Sequence, residues 1–114
     1  MKFQKYGEDG CVGEYVCLHV TYRNEQREEK VMEGIYDINM TFPFALQDLC
    51  SKEQLDLESY EIFNEMGEEE TLDDRIVLHM LTYLEDYMVT VDGFDGPLDI
   101  IVIELKPLYG LAKY

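Results

Sequence analysis

The clearest structural pattern in the sequence follows Thr71. Apolar side chains then recur at the three- and four-residue spacing of an α-helix, at Ile76, Val77, Met80, Leu81, Leu84, Tyr87 and Met88. Thr71 is a favoured N-cap residue, and Asp73 and Asp74 fall in the first turn, where the helix dipole stabilises negative charge. The spacing predicts an amphipathic helix over residues 71–88.

Two earlier segments alternate between apolar and polar residues and predict β-strands. Residues 14–22 place four apolar side chains on one face, namely Val16, Leu18, Val20 and Tyr22. Residues 30–38 alternate less regularly and predict a second strand, with a short helix over residues 24–32 as the alternative. The polar residues 23–29 between them fit a hairpin loop.

The middle of the sequence carries helix signals. Pro43 falls near the first turn of a helix that continues to about Cys50, a favoured position for proline. Ser51 begins the capping-box pattern Ser-Lys-Glu-Gln, which predicts a further helix over residues 52–66 that Gly67 ends. Because residues 55–63 also alternate, a strand there is the alternative.

The last predicted strand covers Leu98–Leu105, after the turn Gly-Phe-Asp-Gly at residues 93–96. Its aliphatic run Ile100–Ile103 is typical of a central strand buried on both faces. With 114 residues and 46% hydrophobic content, the sequence can bury one core despite its charge. The prediction is a single α+β domain over residues 1–114, a mainly antiparallel sheet with two to three helices packed on one face.

The charge of the sequence is concentrated in one half. The whole chain has 25 acidic and nine basic Lys or Arg residues, a net charge of −16, and residues 53–105 hold 16 of those acids with a single base, Arg75. Solvated helices usually mix both signs and form ion pairs one turn apart, which this half cannot do. The concentration favours a binding surface for a basic partner over a merely solvated face.

Motifs for catalysis or cofactor binding are missing from the sequence. It contains no phosphate-binding loop, dinucleotide fingerprint, zinc-protease motif or nucleophile elbow. Cys17 and His19 lie two residues apart but lack the paired spacing of a metal site, and the aspartates around the 93–96 turn do not match a calcium loop. We therefore expect no catalytic residues, no metal and no cofactor. Nine scattered bases also disfavour direct nucleic-acid binding.

The expected location is the cytoplasm, or the host cytoplasm if the protein is phage-encoded. The first ten residues have no apolar run that would form a signal peptide, and the longest aliphatic run is too short to span a bilayer. An acidic surface is also repelled by anionic lipid, so no membrane contact is expected. The odd number of cysteines, Cys11, Cys17 and Cys50, suits a reducing compartment.

These observations favour an acidic inhibitor that occupies a basic, nucleic-acid-binding site on another protein, such as a nuclease. The profile resembles, as a class only, phage-encoded anti-defence proteins and DNA mimics. Aromatic rings among the acids would supply desolvated contacts while the charges steer the encounter. The predicted partner-binding residues are Asp56, Glu58, Tyr60, Glu61, Glu65, Glu68, Glu69, Glu70, Asp73, Asp74, Glu85 and Asp86.

Two other functions stay open at this point. An immunity protein that neutralises a cognate nuclease toxin would use the same acidic surface. A small enzyme or ligand-binding domain with incidental acidity would instead have a deep pocket with convergent polar groups. The sequence also leaves open a homodimer formed through an exposed edge of the strand at residues 14–22.

Overall fold

The computed structural model describes residues 3–5, 15–24, 26–91 and 93–108, with the backbone alone for the first three. The strands in these segments are β1 (Phe3–Lys5), β2 (Tyr15–Arg23), β3 (Glu29–Asp37), β4 (Tyr60–Asn64), β5 (Thr82–Val91) and β6 (Phe94–Pro107). A helix, α1, spans Phe42–Lys52, and short 3-10 turns lie at Leu57–Ser59 and Leu78–Met80. None of the described helices is long and apolar enough to cross a membrane.

The strands form one mixed sheet in which β6 is central. The order is β1-β5-β6-β2-β3, and β4 pairs with β6 beside this path. β2 runs parallel to β6 along one edge, from Cys17 opposite Ile100 to Tyr22 opposite Leu105. The other edge of β6 pairs first with β5 and then with β4, both antiparallel. β5 and β4 therefore lie end to end along a single strand.

The main core lies between α1 and one face of the sheet. β2 contributes Val16, Leu18 and Val20, which alternate with residues of the opposite face. β6 contributes Ile101, Ile103 and Leu105, and α1 covers them with apolar residues that include Phe42 and Leu46. The predicted packing of helix on one face of the sheet is thus correct for α1.

A smaller apolar cluster lies on the opposite face. Its buried members are Cys17, Val89, Val91 and Ile100. Because Ile100 belongs to this cluster and Ile101 and Ile103 belong to the main core, β6 contributes buried residues to both faces, although Val102 is half-buried and Glu104 is exposed. The prediction of a central strand at Leu98–Leu105 is confirmed.

The predicted strands at residues 14–22 and 30–38 are confirmed as β2 and β3, joined by the expected hairpin. They pair antiparallel from Tyr15 opposite Asp37 to Arg23 opposite Glu29. The helix that contains Pro43 is also confirmed, with proline in its first turn. Both edges of β2 are paired, so this strand offers no open edge to a second copy. β3 is the outer strand on that side of the described sheet.

The predicted helix over residues 52–66 is wrong. α1 continues to Lys52, so Ser51 lies inside it and caps nothing. After a 3-10 turn the chain extends as β4, which is the alternative that the alternation allowed. Ile62 of β4 joins the main core, and this burial against the sheet outweighs the local helix signals.

The predicted helix over residues 71–88 is also wrong. The chain forms a loop, the 3-10 turn Leu78–Met80 and then β5, so the described chain has one α-helix instead of two to three. The register of β5 shifts between Leu84, opposite Ile100, and Tyr87, opposite Leu98, which inserts one extra residue. This β-bulge turns a two-residue alternation into a three-residue step that imitates helical spacing.

Candidate functional site

Five acidic residues lie on a hairpin formed by residues 60–70, here called the acidic hairpin. The backbone amide of Asn64 donates to the carbonyl of Glu68 at 2.8 Å, and the amide of Glu70 donates to the carbonyl of Ile62 at 2.9 Å. The Asn64 side-chain oxygen accepts from the amides of Met66 and Glu68, each at 2.9 Å. Gly67 has a φ of +80°, a left-handed conformation that glycine adopts without steric cost.

The carboxylates of the acidic hairpin are mostly exposed. Glu61, Glu65, Glu68 and Glu69 are exposed and Glu70 is half-buried. A cation lies close to one of them, because Lys106 of β6 is directly opposite Glu61 in the sheet. The Lys106 ammonium also lies 4.7 Å from the ring centroid of Phe63. The hairpin tip at residues 65–69 extends beyond this register, so Lys106 offsets the base of the hairpin more than its tip.

The predicted contact residues before the hairpin have structural roles. Asp56 caps the 3-10 turn, accepting from the amide of Glu58 at 3.1 Å and from the Ser59 hydroxyl at 3.0 Å. The Tyr60 hydroxyl donates to the carbonyl of Arg23 at 3.0 Å. Glu58 is exposed. Asp56 and Tyr60 therefore stabilise the local fold whether or not they touch a partner.

Asp73 and Asp74 lie in the loop after the hairpin and not in a helical first turn. Arg75 donates to Asp73 through its guanidinium, with Nη2 2.7 Å from Oδ2, and through its backbone amide at 2.8 Å. The side-chain and backbone hydrogen bonds from Arg75 lower the pKa of the Asp73 carboxyl. Asp74 is exposed. The sole base of the acidic half thus neutralises one particular carboxylate.

Glu85 and Asp86 are in the bulge of β5, on a different segment from the hairpin. Asp86 adopts a φ of +53°, and its amide donates to Oδ1 of Asp99 at 3.1 Å. This hydrogen bond holds the extra residue of the bulge in place. The predicted contact residues therefore occupy separate segments of the fold, since neither the helix predicted over residues 52–66 nor the one over 71–88 is present.

A cleft separates the acidic hairpin from the start of β5. Its volume is about 310 Å³, and its lining residues are Asn64, Met66, Glu68, Glu70, Met80, Leu81, Thr82, Ile101, Val102 and Ile103. The structure thus brings Glu68 and Glu70, two of the predicted contact residues, to one cleft. Met66 and Met80 were not predicted as site residues, because they come together only where β4 and β5 share one edge of β6.

The residues considered as metal ligands have other partners or other roles. Nδ1 of His19 lies 2.8 Å from Oε2 of Glu33 on the neighbouring strand, and Cys17 is buried in the smaller apolar cluster. Asp95 accepts from the Thr90 hydroxyl at 3.2 Å, while Asp92 lies outside the described residues. Within the described part of the chain, no three His, Cys, Asp or Glu side chains are grouped to hold a metal ion.

Cys50 is a buried thiol in the main core. Burial raises its pKa to about 11, so the thiol is protonated at neutral pH and is a poor nucleophile. It behaves as a small apolar residue.

Comparison with known proteins identifies no relative: no known family, curated protein or solved structure matches this chain. The function has to be inferred from the acidic hairpin, the loop after it and the adjoining cleft.

Proposed function

We propose that this protein is an acidic inhibitor that binds a basic, nucleic-acid-binding surface of another protein. The observation that supports the proposal is the charge of residues 56–74, which hold nine acids and no base. Seven of these acids are exposed and the other two, Glu70 and Asp73, are partly so. A surface of this kind attracts a positively charged partner and repels nucleic acid itself.

Two cations of the described residues lie beside these acids. Arg75 pairs with Asp73, and Lys106 lies opposite Glu61. Among the described residues, these two cations offset at most two of the nine carboxylates. By contrast, Glu28 and Glu29 in the first half lie beside Lys30, whose ammonium is 3.9 Å from a Glu28 oxygen. Among the described residues, the acids of residues 56–74 are therefore less offset by neighbouring cations than Glu28 and Glu29 are.

The charge density indicates partial mimicry of DNA. A five-residue strand such as β4 is about 17 Å long, and duplex DNA carries about ten charges over that distance. The acidic hairpin has five carboxylates, Glu61, Glu65, Glu68, Glu69 and Glu70. It thus reaches about half the charge density of DNA, so we expect binding to combine electrostatic attraction with direct side-chain contacts.

The test is affinity capture from nuclease-treated lysate of the native host, with elution by a gradient of NaCl. Wild type is compared with E65K/E69K, which reverses two exposed carboxylates at the hairpin tip, and with E28K/E29K, which makes the same charge change in the balanced half. We expect wild type and E28K/E29K to retain a common basic protein that E65K/E69K loses. The purified partner should then release labelled DNA or RNA when wild type is added.

The outcome that contradicts the proposal is specific. If E65K/E69K retains its partner while E28K/E29K loses it, the acidic hairpin is only a solvated surface. Capture that stays constant between 50 and 500 mM NaCl would also exclude electrostatic steering, because exposed charges are screened within about 8–10 Å at physiological salt. If the protein is an immunity protein, its binding should show the same salt dependence. The identity of the captured partner distinguishes the two functions, since an immunity protein binds a toxin and an anti-defence inhibitor binds a defence nuclease.

A further inference from the structure

We propose that the cleft beside the acidic hairpin receives one long basic side chain, an arginine or a lysine, from the partner protein. This inference rests on the proposed function and names the contact that would anchor it. Its grounds are the shape of the cleft, the chemistry of its walls and the charge on its rim.

The shape of the cleft follows from the pairing of β6. The β5 ladder ends with Leu84 opposite Ile100, and the β4 ladder ends with Asn64 opposite Ile103. Ile101 and Val102 lie between, without a strand partner on that edge in the described ladders. This interval is about 7 Å long, shorter than the smallest usual strand of about three residues. It is too short for strand addition and suits a single side chain.

The floor and walls of the cleft suit the aliphatic part of a basic side chain. Apolar side chains of Leu81 and Val102 line the cleft together with the flexible thioethers of Met66 and Met80. Both methionines are unusually open for their type, with 59% and 48% of their surface exposed. Methionine adapts its shape to a partner, and the methylene groups of arginine or lysine pack favourably on apolar surface.

The rim supplies the charge for the cationic end of that side chain. Glu68 and Glu70 both line the cleft, and the lining residues within the described part of the chain include no Lys, Arg or His. Asn64 Nδ2 donates to Oε1 of Glu68 at 3.2 Å, which orients this carboxylate. A carboxylate has about four acceptor sites, so Glu68 can accept from a guanidinium as well. The volume of about 310 Å³ is at the lower end of the range for small-molecule sites, about 300–1,000 Å³, as expected for a single side chain.

The probe is Nα-acetyl-arginine amide, which carries the arginine side chain and no other charge. It is titrated into protein labelled with ¹³C at the methionine methyl groups. We expect saturable shifts at Met66 and Met80 with a dissociation constant on the order of 1 mM, as for other ligands of this size. Met88, which is 67% exposed and lies outside the cleft, is the surface control, and buried Met32 reports on the fold.

Two controls distinguish specific binding in the cleft from general attraction to the negative charge of the hairpin. Nα-acetyl-citrulline amide has the same shape as the probe without its charge, and we expect it to leave Met66 and Met80 unshifted. The E68Q/E70Q variant should bind the arginine probe about 10- to 100-fold more weakly, the loss expected for hydrogen bonds to charged groups. E65Q/E69Q removes the same charge from the same hairpin outside the cleft, and its affinity should change less than about threefold.

Three results would overturn the inference: equal shifts with citrulline, equal weakening by both double variants, or shifts at Met88 as large as those at Met66 and Met80. These results leave the proposed function standing if E65K/E69K still loses its partner in the capture experiment. Conversely, arginine binding in the cleft without any captured partner would contradict the proposed function alone.

Discussion

Replacing Leu78 and Met80 separately by alanine distinguishes the observed 3-10 turn from the helix that the sequence pattern predicts. In that helix Met80 would belong to the apolar stripe and Leu78 would lie beside it. In the structure Leu78 is 0% exposed in the main core, and its amide donates to the carbonyl of Met40 at 2.9 Å. Met80 is 48% exposed at the cleft. The two interpretations therefore rank the two variants in opposite order.

The expected free-energy changes follow from these burials. Leu78→Ala deletes a fully buried side chain and should lower the free energy of unfolding by about 3–5 kcal/mol, because the cavity cannot fully collapse. Met80→Ala removes a side chain that is already half in water, and it should cost less than about 1 kcal/mol. The Met80 sulfur accepts from the amide of Val77 at 3.3 Å, but that amide can bind water instead.

Urea denaturation followed by circular dichroism measures both changes. With a slope of about 1–3 kcal/mol per M for small domains, Leu78→Ala should lower the midpoint by more than about 1 M. Because a domain of this size has only about 5–15 kcal/mol of stability, Leu78→Val serves as a milder second variant, with an expected cost of about 1 kcal/mol. A larger loss for Met80→Ala than for Leu78→Ala would refute the observed placement of residues 78–80.

Three further predictions concern single interactions. Tyr36→Phe removes the hydroxyl that donates to Oδ2 of Asp48 at 2.8 Å and joins β3 to α1, so urea denaturation should show a loss of about 1–2 kcal/mol, and an unchanged midpoint would contradict this link. At pH 8 a pKa of about 11 leaves about 0.1% of the Cys50 thiol as thiolate, so iodoacetamide should label it over ~100-fold more slowly in native protein than in urea. Arg75→Gln should raise the depressed pKa of Asp73, as measured by NMR titration. Because the Asp73 pKa is lower in the folded than in the unfolded protein, the stabilising interaction with Arg75 is present at neutral pH and is lost as pH falls through the folded-state pKa. An Asp73 pKa that is the same in both proteins would show that Arg75 is not the cause.

The parts of the fold that the sequence predicts correctly are those in which one local pattern acts alone. β2 alternates without interruption over residues 15–23, so its buried face can be assigned from the side-chain period of two. α1 begins next to Pro43, whose fixed φ suits the first turn of a helix. Both elements can therefore be predicted from their local sequence, without knowing which strands lie beside them.

The helix prediction for residues 71–88 is wrong because a β-bulge can produce the same apolar spacing as a helix. The bulge at Glu85 and Asp86 reverses which residues face the smaller cluster, so Leu84 and Val89 lie on the same face although they are five residues apart. Apolar residues on the two sides of the bulge then fall three or four apart, as they do in a helix. A bulge stabilised by Asp99, thirteen residues away, has no local signature.

The sequence predicts which residues make the candidate site acidic, but it does not predict the cleft in which two of them lie. The concentration of acids around Glu68 and Glu69 is visible in the sequence without any structure. The cleft is not visible, because it exists only where the ladders of β4 and β5 leave Ile101 and Val102 unpaired on one edge of β6. That gap depends on strand order, which no residue of the hairpin encodes by itself.

The central position of β6 has a consequence for synthesis on the ribosome. β2, β4 and β5 all pair with β6, which follows all of them in the chain, so none of these ladders can form before β6 is made, and all three are complete only after residue 107. At about 5–20 residues per second, the β2–β3 hairpin waits roughly 4–14 s after Asp37 is made. During that time β2 lacks its neighbour β6, and the main core lacks Ile101, Ile103 and Leu105. We expect nascent chains of this protein to depend on chaperones or on their own negative charge to avoid aggregation before the sheet closes.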